Sequence, residues 1–304
     1  MIREALASVA RHESLGGVLG RTPVARDLVA RVVGGESLDE VLPLVSDLAD
    51  RGYFIALERV APNVGSRVEA QEAAEGYSAV VDAVAAAGLA GVAEVIVFPE
   101  SLGQLLERGA EDAHRRLQAL ADQGRSTGVP LRLGIGAPQD LAQALSWAEP
   151  LIARGDDVGV TLPAILRSTE AECVRLADAR VRLVKGGHAD GSTTYRQPIE
   201  TDKAFVRCAK TLLRGSGEPS FATHDTRLIE IVESLAERYG RAPHTYEYAF
   251  YLGRQTGQQE RLLAAGQRVR IYVPFGPRWF ERLVGGLAEQ PGGISGALRS
   301  LLPG

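Results

Sequence analysis

Val181-Arg182-Leu183-Val184-Lys185-Gly186, Phe221-Ala222-Thr223-His224-Asp225 and Val269-Arg270-Ile271-Tyr272-Val273-Pro274-Phe275-Gly276 are short apolar runs that break off into polar groups or glycine. Each reads as a buried parallel strand with reactive residues at its C-terminal end. In a barrel of parallel strands that end is the functional face. Working outward, the strand set is Tyr53–Val60, Glu94–Phe98, Pro130–Gly136, Val158–Leu162, Val181–Gly186, Pro219–His224, Thr245–Leu252 and Val269–Phe275. Helical patterns alternate with them at Val68–Ala87, Leu102–Gln123, Asp140–Ala153, Ser168–Ala179, Asp202–Leu213, Thr226–Tyr239, Gly257–Ala265 and Arg278–Glu289. Alternation predicts a parallel sheet, and eight strands close a barrel. A doubly wound open sheet is the alternative, disfavoured because no G-x-G-x-x-G follows a strand. The expected fold is α/β, a distorted (βα)8 TIM barrel with N-terminal helices.

Residues 1–50 read as a helical segment packing on the barrel, with breaks at Thr22-Pro23 and Gly34-Gly35. Ser37 and Glu40 form the pattern of a capping box at the start of its last helix. The barrel is expected over 51–290, and 291–304 is a tail that opens on Gln290-Pro291-Gly292-Gly293.

At 45% hydrophobic, the chain has ample material for a sizeable core. A net charge of −4 gives no basic footprint for nucleic acid. Cys173 and Cys208 lack metal-type spacing and argue against a disulfide framework, so a reduced cytoplasm is expected. Met1-Ile2-Arg3-Glu4-Ala5 does not open like a signal peptide, and no apolar run is long enough to span a bilayer.

Among the candidate site residues, Arg182 and Lys185 lie three apart on one strand and face opposite sides in ideal geometry. Gly186-Gly187 lets the backbone bend and a ligand approach. A lysine here has three readings: a Schiff-base amine, a phosphate ligand, or a positive charge beside an electron-rich cofactor. A solvated terminal charge is the bland reading. His12 and His114 fall on helical stretches and are expected to be solvated. His188, His224 and His244 lie beside strands without diagnostic metal spacing, so no metal is expected. Tyr272 is either core packing or an active-site hydroxyl.

Taken together, these runs resemble the proline dehydrogenase family, flavin-dependent enzymes on a distorted (βα)8 barrel. The resemblance starts at Arg31-Val32-Val33-Gly34-Gly35-Glu36-Ser37-Leu38-Asp39-Glu40 and continues through Val158-Gly159-Val160-Thr161-Leu162 and Leu166-Arg167. It is strongest at Arg182-Leu183-Val184-Lys185-Gly186, Phe221-Ala222-Thr223-His224, Tyr246-Glu247-Tyr248 and Arg268–Gly276. It implies bound FAD. Arg182 would lie near the reactive flavin nitrogen and Lys185 near the pyrimidine edge, where a fixed cation favours the reduced anionic ring. Thr223, His224 and Glu247 would also lie at the cofactor, and Arg196 would reach a phosphate.

Several positions depart from the family pattern. The arginine pair that grips the substrate carboxylate falls on Gly285-Gly286. Its loss is expected to weaken binding of free proline by about 2–5 kcal/mol. The tyrosine one turn earlier is Arg282, which is either a single replacement cation or a surface arginine. The substrate-side lysine of the second strand is Phe98, and the acid of the third strand is Gly134. A flavin-contacting glutamine is Pro163, and the tyrosine after the lysine-glycine turn is His188. Tyr272 and Glu289 are kept.

The reading is an FAD-dependent dehydrogenase that oxidises a C–N (or N–N) bond of an amine or imino acid by hydride transfer. Its substrate is expected to differ from free proline, and its electron acceptor is a quinone or oxygen. Arg182 and Lys185 would tune the flavin, with Tyr272 and Arg282 on the substrate side. Two alternatives stay open: a flavin-binding barrel without catalysis, and a lyase using Lys185 as a Schiff base.

Overall fold

The computed structural model describes residues 33–60, 64–187 and 193–277. Eight strands close in sequence order into a barrel: β1 (Phe54–Arg59), β2 (Ala93–Val97), β3 (Leu131–Leu133), β4 (Val158–Pro163), β5 (Val181–Val184), β6 (Ser220–Ala222), β7 (Glu247–Tyr251) and β8 (Arg268–Phe275). Every neighbouring pair is parallel, including β8 against β1. Around it lie α1 (Leu38–Asp50), α2 (Arg67–Ala86), α3 (Ala110–Thr127), α4 (Leu141–Ala153), α5 (Thr169–Arg175), α6 (Pro198–Arg214), α7 (Thr226–Arg238) and α8 (Thr256–Ala264). The expected barrel is present, and each expected strand overlaps an observed one.

Parallel pairing requires both faces of the sheet to be covered. The outward residues of the strands, such as Leu57, Val95, Val160, Leu183, Phe221, Tyr248 and Ile271, join one buried cluster with the helices. The helix α1 starts as its sequence suggests, with Ser37 Oγ accepting from Glu40 N–H. The return bond differs from the expected box, because Glu40 Oε2 accepts from Glu36 N–H at 2.9 Å. The expected helix from Leu102 is also corrected. A 3-10 turn spans Pro99–Leu102, Gly103 takes φ +92°, and α3 begins only at Ala110. Gly103 in the left-handed region ends the turn and breaks the pattern.

Residues paired across a parallel ladder point to the same face. The register therefore defines the barrel interior. Its lower inward positions include Glu94, Arg132, Arg182, Ser220, Glu247, Arg268 and Arg270. Above them, toward the strand C-termini, come Thr161, Val184, Ala222, Ala249, Ala56 and Tyr272. Among the described residues, no helix is long and apolar enough to cross a membrane.

Candidate active site

The floor of the barrel is a buried charge network. Glu94 is fully buried on β2 and receives a two-pronged contact from Arg132, at 2.9 and 3.0 Å. Arg182 also donates to Glu94, and Arg180 lies 3.2 Å from it. Glu247 is gripped the same way by Arg270, at 2.7 and 2.9 Å. Burial opposes the charge on Glu94, but Arg132, Arg182, Arg270 and Arg180 outweigh it and hold the carboxyl well below its usual range. Burial acts likewise on Glu247, and Arg270 brings it down to about 2. Burial lowers Arg132 to about 10, which still leaves it charged at neutral pH. Both carboxylates and all these guanidiniums are therefore ionised together.

Arg182 stands out within this network. It is 3% exposed, and its Nη1 is buried without a hydrogen-bond partner. Leaving a buried donor unmet costs about 1–3 kcal/mol. Above it, β4, β5 and β6 turn Thr161, Val184 and Ala222 inward, and all three are partly exposed although they lie in strands of a closed barrel. These inward side chains sit partly exposed on the mouth side of Arg182.

The opposite side of the mouth is filled. Ala56, Ile96 and Phe98 form a small inner cluster against Tyr272. The Tyr272 hydroxyl donates to Glu58 Oε2 at 2.7 Å, and its ring meets Tyr251 edge-on at 4.9 Å. Phe98 lies over Gly134, where an added Cβ would sit 2.5 Å from the ring. Phe98 and Gly134, two positions expected to depart from the family pattern, thus lie against each other.

Lys185 points away from the interior, as its three-residue offset from Arg182 predicts. Its Nζ lies 2.7 Å from Asp202 at the start of α6 and 3.0 Å from Asp225 at the N-cap of α7. Burial opposes its charge, but the two carboxylates raise its pKa above the ordinary lysine value. Gly186 and Gly187 follow, the latter with φ +147°, a conformation open to glycine. Thr223 Oγ1 accepts from Asp225 N–H at 3.1 Å. His224 Nε2 accepts from Tyr251 N–H at 3.2 Å, and its ring stacks on Tyr251 at 5.7 Å. Burial, with Arg254 nearby, lowers His224 to about 4, so its imidazole is neutral. Arg196 lies two residues before α6.

Glu247 sits on the floor at the start of β7, below the mouth where Tyr272 lies. His114 is not a solvated helix residue. It stacks on Trp147 with centroids 5.3 Å apart, and its Nε2 is buried. Cys173 and Cys208 are buried on the facing helices α5 and α6, and their contact, with burial, pushes the Cys173 thiol up. His12, His188, Arg278, Arg282, Gly285, Gly286 and Glu289 lie outside the described residues.

The family model for proline dehydrogenase matches residues 41–279. The chain belongs to the proline dehydrogenase family. It is 25% identical to a proline dehydrogenase of Deinococcus radiodurans over 287 residues, covering 91% of each chain. It is 23% identical to proline dehydrogenase 1 of Bacillus subtilis (strain 168) over 275 residues, covering 90% of each. In three dimensions it is similar to proline utilization A from Bdellovibrio bacteriovorus inactivated by N-propargylglycine. That match has a TM-score of 0.83 and 18% identity and covers 99% of this chain. The chain spans 36% of the length of that larger protein. Family membership makes the protein a flavin-dependent oxidoreductase acting on CH–NH donors, with FAD as its cofactor.

The residues present fit that cofactor. The Arg182 donor has no protein partner. The inward residues above it are partly exposed, and the floor carries excess positive charge. The sequence reading missed Glu58 and Glu94. Both were visible as single acids inside otherwise apolar strands, in phase with inward-facing residues. Their partners were not, because these come from other strands.

Proposed function

We propose that this proline dehydrogenase relative oxidises the C–N bond of an amine or imino acid other than free proline. FAD would lie over Thr161, Val184 and Ala222, with Arg182 beneath it. Bound FAD supplies the two-electron acceptor for the C–H bond beside the substrate nitrogen. Arg182 offers its unmet donor and a fixed positive charge, and such a preset charge acts strongly in a water-poor site. Gly186, Gly187, Thr223 and His224 would line the rim, and Arg196 would reach a phosphate. Glu247 acts from below, by holding Arg270 in the floor.

The observation that carries the substrate reading is the Phe98 ring over Gly134. It puts an apolar surface where the family pattern has a lysine and an acid. With Gly285-Gly286 in place of the arginine pair, the grip on a free carboxylate would fall to Arg282 or Arg278. Electrons then pass to a quinone or oxygen in the cytoplasm. The lyase reading is disfavoured by Lys185, since two carboxylates keep its amine protonated and a protonated amine is no nucleophile.

The test starts from purified protein with extractable FAD. Amines and L-proline are mixed with it anaerobically, and bleaching of the flavin is recorded. An amine that bleaches faster than L-proline is the expected result. The double variant Gly285→Arg/Gly286→Arg should shift preference toward L-proline. Wild-type protein that prefers L-proline, or that no amine bleaches, would overturn this reading.

A further inference from the structure

Ser220 has no role in the account so far, yet it is the polar member of a strand whose other residues are Phe221 and Ala222. It is fully buried, and the ladder sets it between Arg182 of β5 and Glu247 of β7. A buried hydroxyl needs a partner. Ser220 Oγ accepts from Arg182 Nε at 3.4 Å. Arg182 Nη2 donates to Glu94 Oε1 on β2, and Nη1 is the remaining nitrogen, buried and unmet.

A guanidinium is planar and carries its N–H groups in a fixed fork. Nε–H and Nη2 share one edge of that plane, and Nη1 lies beyond it. Two contacts on the shared edge therefore decide where Nη1 points, whereas one contact leaves the plane free to pivot. Glu94 cannot follow a moving Arg182, because Arg132 grips it at 2.9 and 3.0 Å and Arg180 lies 3.2 Å away. Glu247 Oε1 is 3.9 Å from Arg182 Nη2, too far for a hydrogen bond. Ser220 thus supplies the second fixed point.

We propose that Ser220 is a positioning residue for the redox chemistry: with Glu94 it sets the plane of Arg182 so that Nη1 serves the flavin, and it thereby raises the reduction potential of bound FAD. Reduction puts negative charge on the ring. A donor already fixed in place needs no reorganisation when that charge appears, so it favours the reduced state more than a donor that pivots. A hydroxyl suits the task because it accepts from Arg182 without adding charge. A carboxylate at the same point would cancel the excess positive charge of the floor. Ser220 acts through Arg182 and reaches neither substrate nor cofactor itself.

This inference rests on the reading that places Arg182 beneath FAD. The experiment uses FAD-loaded protein and reads the midpoint potential of the bound flavin by equilibration against a reference dye, without any substrate. Ser220→Ala is expected to disfavour the reduced state over the oxidised one by about tenfold, the worth of one hydrogen bond to a charged group. For a two-electron couple that is a potential lower by about 30 mV. Ser220→Cys offers only a weak acceptor and should shift the potential the same way. Arg182→Gln should lower it further. Glu94→Asp keeps the charge but retracts the carboxylate, and should also lower it.

FAD content and melting temperature are recorded for every variant. A Ser220 that served packing alone would change those two readings and leave the potential where it was. If Ser220→Ala and Ser220→Cys load FAD and keep or exceed the wild-type potential while Arg182→Gln lowers it, the positioning role is wrong and the reading of Arg182 stands. If neither Ser220 variant loads FAD, Glu94→Asp decides, and a wild-type potential there overturns the two-point hold. If Arg182→Gln leaves the potential unchanged, Arg182 does not lie beneath the flavin and both fall together.

Discussion

Replacing Glu94 by glutamine should be among the most damaging single changes in this barrel. Glutamine keeps the shape and removes the charge. Around Glu94 the fully buried charged groups are Arg132, Arg182 and Arg270, set against Glu94 itself and Glu247. Three guanidiniums against two carboxylates leave one excess positive charge, and the substitution doubles that excess. Arg132 loses one prong of its contact to an amide N–H2 and the charge behind the other, and Arg182 loses its carboxylate partner while already carrying one unmet donor. Breaking a buried pair by removing one member costs about 3–5 kcal/mol, against a total stability of about 5–15 kcal/mol.

A chain of this size moves by about 2–4 °C in melting temperature per kcal/mol, so the expected drop is roughly 6–20 °C. The control is Asp157→Asn. This carboxylate pairs with Arg180 but is 55% exposed, and its loss should cost about 1 kcal/mol or less. Urea unfolding followed by circular dichroism measures both. The pH dependence has a definite sign. The pKa of Glu94 is depressed in the folded state, so its contribution is complete above the unfolded value of about 4.3 and is lost as pH falls below it. Glu94→Gln should therefore also flatten the acid side of the stability curve. A variant no less stable than Asp157→Asn would refute the view that this network is ionised and mutually dependent.

Two further outcomes follow from the site. Gly134→Ala should destabilise by about 1–3 kcal/mol, because its methyl group meets the Phe98 ring. A double-mutant cycle with Phe98→Ala should recover part of that loss, and strict additivity in melting experiments would rule out the contact. His224 is held neutral in the fold, with its pKa down at about 4 against about 6.5 unfolded. Stability is full above the unfolded value and falls as pH drops toward 4, by at most about 1.4 kcal/mol per pH unit. His224→Gln should reduce that slope in chemical denaturation between pH 6.5 and 4, and an unchanged slope would count against a buried neutral imidazole.

The eight strands, their order and their parallel sense were legible in the chain. Each is a local apolar run bounded by polar residues or glycine, and closure at eight follows from geometry common to all such barrels. The opposite orientation of Arg182 and Lys185 was also readable, since alternation along a strand is local. The length of α3 was misjudged, because the 102–109 stretch is helical in composition while Gly103 takes a positive φ.

What the sequence by itself determined is therefore the frame, and the strand ends at which reactive residues gather. Which charges meet was decided only when the barrel closed. Arg182 finds Glu94 across 88 residues of chain, and Tyr272 finds Glu58 across 214. Phe98 and Gly134 look like two unrelated departures until the ladder sets one over the other. The physical reason is that backbone periodicity is set by near neighbours. The state and direction of a buried charge depend instead on the sum of all charges that the closed sheet brings within reach of it.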